Sequence, residues 1–111
     1  MRTFIALADP IRAEIVRLLA AQDLTAGDIA SRFPVSRPAI SRHLSVLRRS
    51  QLVSVRGEAQ RRVYSLDVSG LNEVDRWVAE CRQAWSARLD ALGRHLEQAA
   101  KSRENHDGTK N

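Results

Sequence analysis

Residues 36–49 read SRPAISRHLSVLRR (Ser36–Arg49), and the spacing inside this stretch decides the fold. Ser36 is a good helix N-cap, and Pro38 falls in the first turn, where proline gives up no hydrogen bond the helix needs. On a wheel of about 100° per residue with Ile40 at zero, Leu44 falls at about +40° and Leu47 at about −20°, which makes one buried apolar stripe. Pro38, Ser41, Arg42, Ser45 and Arg49 occupy the other side, between about +100° and +200°. A helix with one dry side and one arginine/serine side suits the major groove of DNA. Arginine can grip guanine through two bonds, and short hydroxyls allow close approach to base edges or phosphates. Arg37, at about +60°, is near enough to the helix start to reach the same groove. His43, at about −60°, lies on the shoulder of the buried stripe and reads as a packing or supporting residue.

Upstream, Thr25 caps a helix expected over Thr25–Phe33, with Asp28 at its third position and Ile29, Ala30 and Phe33 facing inward, until Pro34 ends it. Two short helices joined by two or three residues make a helix-turn-helix. A preceding helix runs from Pro10 to Ala21, capped by Asp9, with Ile11, Ile15, Val16, Leu18 and Leu19 as its apolar stripe. Phe4, Ile5 and Leu7 suggest a further short helix over about residues 1–8 whose apolar side its own domain can hardly cover. Downstream, QLVSVR (Gln51–Arg56) and RRVYSL (Arg61–Leu66) flank Gly57–Gln60 and read as a β-hairpin. Ser69 then offers a cap for one helix reaching about Ala100. Leu71, Val74, Val78, Cys81, Trp85, Leu89, Leu92, Leu96 and Ala99 follow one another in steps of three and four, close to a heptad seam with one stutter between Trp85 and Leu89. Such a seam is longer than the small preceding domain can cover, which points to a second copy of the chain as its cover. The tail, residues 101–111, is polar without periodicity and is expected to be disordered. The fold class is therefore mainly α with a β-hairpin wing: one domain over residues 1–100, with dimerisation helices at about 1–8 and 69–100.

Charge supports the same reading. The 111 residues carry a net +5, yet between Arg32 and Arg62 eight arginines face a single acid, Glu58, so this block holds +7 and the remainder sums to −2. A basic block within a slightly acidic chain is the electrostatic footprint of a polyanion partner, because neutralised phosphates release their counterions. Arg56, Arg61 and Arg62 extend the block into the hairpin, where arginine commonly meets backbone phosphate or a narrow minor groove.

The segments ALADPIRAEIVRLLA, LTAGDIASRF, VSRPAISRHLSVLRRSQLV and RRVYSL together resemble the ArsR/SmtB winged helix-turn-helix transcriptional repressors, in order and without gaps from about Ala6 to Leu66. The segment EVDRWVAECRQAWSARLDALGRHL resembles the C-terminal dimerisation helix of a metal-independent branch of that family. The resemblance implies a homodimer with two recognition helices in successive major grooves of an imperfect palindrome, and repression at a promoter, often the protein's own. It also implies that Arg37, Pro38, Ser41 and Arg42 approach DNA. Two departures bear on control. The Cys-x-Cys motif of arsenic-type members is missing from the Thr25–Phe33 segment, and of the zinc-type ligand positions, which here read Asp75, Trp77, Arg88 and Ala91, only the aspartate is a ligand type.

The sequence thus nominates Ser36, Arg37, Pro38, Ser41, Arg42, Ser45, Arg49, Arg56, Arg61 and Arg62 for DNA contact. It nominates Phe4, Leu7, Leu71, Val74, Val78, Cys81, Trp85, Leu89, Leu92 and Leu96 for dimerisation. The expected partners are double-stranded operator DNA and a second copy, with no membrane, no cofactor and no metal. Residual ligand types at Asp75, Cys81, His95, His106 and Asp107 are scattered, and Cys81 on the apolar seam reads first as a small buried hydrophobe. No catalytic constellation is present: no phosphate-cradling glycine loop, no nucleophile elbow and a single cysteine, so an enzyme is not expected. No run of eighteen apolar residues and no secretory signal appears, which makes the expected location the cytoplasm. The alternatives are a winged-helix protein-interaction module, which has no reason to concentrate arginine on one face, and a redox-responsive regulator acting through Cys81.

Overall fold

The computed structural model describes residues 2–109, with side chains through Glu104. Its elements are α1 (Arg2–Leu7), α2 (Pro10–Ala21), β1 (Leu24–Thr25), α3 (Ala26–Ala30), α4 (Arg37–Arg49), β2 (Val53–Glu58), β3 (Arg61–Leu66) and α5 (Val68–Thr109). They form two compact units, Met1–Asp75 and Arg76–Asn111. The first holds every element up to the start of α5 and the described buried core; the described residues of the second are the remainder of α5, a lone helix.

The core of the first unit is built from the apolar positions that the periodicities select. Ile15, Val16 and Leu19 of α2, Ile29 of α3, and Ile40, Leu44 and Leu47 of α4 meet Leu52, Val53 and Tyr64 from the sheet side. Full burial of each large aliphatic side chain stabilises by about 1.5–3 kcal/mol, so this cluster fixes how α4 sits on its support. Asp9 caps α2 as expected, its Oδ1 accepting from the Ile11 and Arg12 amides at 2.9 and 3.0 Å.

Several boundaries differ from the sequence reading. The first hairpin strand is shifted by two residues and the loop is tighter: Glu58 pairs with Arg61, so only Ala59 and Gln60 turn the chain. Gly57, which looks like a turn residue, lies in β2, and the left-handed conformation the turn needs is taken by Ala59 at φ 58°. The wing also gains a third strand. Leu24 and Thr25 pair with Tyr64 and Val63, giving the antiparallel order β1-β3-β2. α3 ends at Ala30 rather than Phe33, with Ser31 as its C-cap.

α5 is capped by Asp67, whose Oδ1 accepts from the Ser69 amide at 2.9 Å, so the cap lies two residues before the expected Ser69. At its other end the helix continues past Ala100 to Thr109, where a disordered tail was expected. Ala99, Ala100, Lys101, Arg103 and Glu104 are helix-compatible residues with no breaker before Gly108, and extending an existing helix costs no new nucleation.

Candidate nucleic-acid interface

α4 is a helix fixed at both ends. Ser36 Oγ accepts from the Ala39 amide at 3.2 Å. At the other end Leu52 N donates to Leu47 O at 2.9 Å and Gln51 N to Arg48 O at 3.1 Å, the paired bonds of a Schellman motif. Gln51 takes the left-handed position at φ 61° that glycine usually fills. Between these ends Ile40, Leu44 and Leu47 are buried, while Ser36, Arg37, Pro38, Ser41, Arg42, Ser45 and Arg49 are exposed.

The wing meets this surface. Arg37 and Ser41 of α4, Ala26 and Gly27 of α3, and Arg62 and Tyr64 of β3 line one groove of about 190 Å³. Pro38, Ser41, Arg42 and Ser45 line a second, shallow depression on the outer side of α4. Arg61 and Arg62 line a third with Thr25, Ala26, Gly27 and Gln60. Among the described residues, Arg37, Arg42, Arg61 and Arg62 make no side-chain hydrogen bond or ion pair, so their guanidinium donors remain open to an anion. Arg49 Nε donates to Ser45 O at 3.4 Å and meets no acid.

Arg56, also nominated for DNA contact, differs from Arg61 and Arg62 in having partners within the chain. Its Nη1 donates to Asp23 Oδ2 at 2.8 Å and to Ser65 Oγ at 2.9 Å, and Nη2 reaches Glu58 Oε2 at 3.5 Å. The hydrogen bond from Arg56 holds the Asp23 carboxyl below its ordinary range, and the same bond raises the arginine. Arg56 is a strut within the wing, joining β2 to the residue before β1 and to Ser65 of β3. Sequence reasoning missed this because Asp23 lies 33 residues away. His43 is half-buried beside the apolar stripe, and its Nδ1 faces Arg12 Nη1 at 3.3 Å.

The residues nominated for dimerisation divide. Leu7 and Leu71 pack partly against the chain's own core, Phe4, Val74 and Val78 are half-buried, and Cys81, Trp85, Leu89, Leu92 and Leu96 are exposed. Cys81 is therefore not a buried hydrophobe within one chain. Trp85 is 57% exposed, with the Arg88 guanidinium carbon 5.6 Å from its ring centroid. Among the described residues no group of three His, Cys, Asp or Glu converges as a metal site, and the side chains of His106 and Asp107 lie outside those described. No described helix is long and apolar enough to cross a membrane.

Comparison with known proteins identifies the family. Residues 9–55, spanning α2 to β2, match the model of the bacterial regulatory proteins of the arsR family. The HTH-type transcriptional regulator Rv2034 of Mycobacterium tuberculosis is 41% identical over 96 residues, covering 83% of this chain and 90% of that protein. The chain belongs to the arsR family. As an arsR-family protein it is a DNA-binding transcriptional regulator with a winged helix-turn-helix fold. The transcriptional repressor SdpR of Bacillus subtilis is 40% identical over 75 residues, 68% of this chain and 83% of its own. An ArsR-like transcriptional regulator from Rhodococcus superposes with a TM-score of 0.70 at 34% identity, over 82% of this chain and 86% of that one.

Proposed function

We propose that the chain is a homodimeric repressor that lays two copies of α4 into successive major grooves of an imperfect palindrome at promoters. The observation that carries this reading is the arginine/serine face of α4, with Arg37 and Arg42 unpaired among the described residues, opposite a stripe buried on Ile40, Leu44 and Leu47. On that face Arg42 reads a base, while Arg61 and Arg62 on the wing neutralise phosphates. The repressor name carried by SdpR supports the direction of regulation. The protein works in the cytoplasm, catalyses no reaction and needs neither a metal nor a cofactor to bind DNA; the thiolate and imidazole sets that hold arsenic-type and zinc-type inducers have no counterpart in this sequence.

The test is a duplex selected from a random pool by the full chain, compared with unselected duplex. Arg42→Ala is expected to cost about 1–3 kcal/mol on the selected duplex and to relax its sequence preference. Equal losses on both duplexes would assign Arg42 to phosphate. A promoter reporter carrying the selected site reads the sign of regulation, and a rise in transcription on expression of the protein defeats repression. Cys81→Ser in the presence of peroxide separates the redox alternative, which requires release from DNA that the variant abolishes.

A further inference from the structure

One guanidinium joins three helices. Arg12, on α2, donates from Nε to Ala6 O at 2.8 Å and from Nη2 to Ile5 O at 3.4 Å, both carbonyls in the last turn of α1. Terminal helix carbonyls lack the internal donors that earlier ones have, so Arg12 acts as the side-chain cap of α1. Its remaining arm, Nη1, lies 3.3 Å from His43 Nδ1 on α4. Because arginine has donors only, the bond requires Nδ1 as acceptor and places the ring proton on Nε2. The guanidinium is planar and its donors are fixed relative to one another, so it cannot follow α1 without moving at His43. Asp9 anchors the same turn of α2, accepting from the Arg12 amide at 3.0 Å, which fixes where the arginine begins.

His43 directly follows Arg42, the residue assigned above to base reading. We infer that Arg12 and His43 are positioning residues: together they hold α4 in register with α1, and they govern how well the protein distinguishes DNA sequences rather than how tightly it holds any duplex. This rests on the reading of α4 as the recognition helix. Phosphate contacts through long arginines tolerate a small displacement of the helix, whereas a two-bond contact to a base edge demands placement within about 0.5 Å. Ile5, whose carbonyl takes one of the three bonds, has a side chain 67% exposed, so α1 is tied inward to α4 while its outer side stays open.

The experiment measures the full chain on its selected duplex and on random duplex, with thermal stability followed for each variant. His43→Leu removes the acceptor and keeps an apolar side chain on the shoulder of the stripe. It is expected to lower the ratio of selected to random affinity about tenfold, the scale of one lost hydrogen bond, while random-duplex affinity and its salt dependence stay as in the parent. His43→Asn, whose Oδ1 occupies the place of Nδ1, is expected to restore most of the ratio. Arg12→Lys, with a single point donor in place of the fork, is expected to lower it, and combining it with His43→Leu is expected to add little. Full preference in His43→Leu alongside lost preference in Arg42→Ala overturns the inference and leaves α4 as the reader. A drop that follows thermal stability and that His43→Asn does not restore also overturns it, since that is plain packing. Full preference in Arg42→Ala with no loss of affinity on either duplex defeats the reading of α4 itself.

Discussion

Arg56 of β2 and Asp23, which precedes β1, form an ion pair at 2.8 Å that ties β2 to the end of the α2–β1 connection. Both side chains are about half exposed, so the pair adds little to stability, but it gives Arg56 an acid partner within the chain. Arg62 and Arg61, which pair with Gly57 and Glu58, one and two positions beyond the strut, have no acid partner among the described residues.

The salt dependence of DNA binding measures this division. Each neutralised phosphate contributes about −0.9 to the slope of log affinity against log salt, so Arg61→Ala and Arg62→Ala are each expected to make the slope shallower by about that amount. Arg56→Ala is expected to leave the slope nearly unchanged. A loss at Arg56 equal to that at Arg62 would return it to the phosphate contacts.

Asp9 supplies a pH dependence with a definite sign. The hydrogen bond from the Arg12 amide is the largest cause that holds its carboxyl below the ordinary value of 3.8, with the Ile11 amide and the charge of Arg12 acting the same way. The unfolded chain therefore binds the proton more readily, so the stability Asp9 contributes is complete above the ordinary aspartate range and lost as pH falls through its depressed folded value. Asp9→Ala is expected to cost about 1 kcal/mol near neutrality. Asp9→Asn keeps a capping oxygen without titrating, and denaturation midpoints followed into acid should fall less steeply for it than for the parent. Parallel curves would show that the acid sensitivity comes from elsewhere, Asp23 included.

What was legible in the sequence was local. Ser36, Pro38 and the Ile40, Leu44, Leu47 spacing specify α4 within fourteen residues, and its exposed face follows from that spacing alone. What was missed depends on partners far along the chain. β1 is two residues long and exists only because Leu24 pairs with Tyr64, and Arg56 becomes a strut only because Asp23 is brought to it by that same pairing. Gly57 misled because glycine signals a turn by propensity, whereas the register of Glu58 on Arg61 puts the turn at Ala59.

The junction between α4 and α5 is a close approach of backbones. Gly70 N donates to Gln51 O at 2.9 Å, and a Cβ on Gly70 would lie 2.7 Å from that oxygen and 2.9 Å from Ser50 O. Neither backbone atom can rotate away, so Gly70→Ala is expected to destabilise by about 1–3 kcal/mol, read as a lowered thermal midpoint. Gln51→Gly, which fits the left-handed conformation without a Cβ, is expected to be stabilising by up to about 1 kcal/mol. Gly93 of α5 has nothing within 4 Å of its would-be Cβ, so Gly93→Ala should gain helix propensity instead, also by up to about 1 kcal/mol. Equal effects at Gly70 and Gly93 would show that the close approach is not what constrains Gly70.

The exposed stripe of α5 makes the strongest demand for a partner. Trp85, Leu89, Leu92 and Leu96 are between 49% and 59% exposed and lie on one face of the helix, at steps of four, three and four. Each is worth about 1.5–3 kcal/mol on full burial, and a second copy offers an identical stripe, which a two-fold axis brings face to face. Trp85→Ala and Leu92→Glu are therefore expected to shift sedimentation from dimer toward monomer. Both should weaken binding to the selected duplex at the same protein concentrations, because a monomer reaches only one half-site. Ala87→Glu, about 200° around the helix from Trp85, places the same charge away from the stripe and should change neither. Dimers that survive both seam substitutions would mean that the partner covers another face. Dimers lost with Ala87→Glu as well would mean that added charge, and not the stripe, is what the assembly resists.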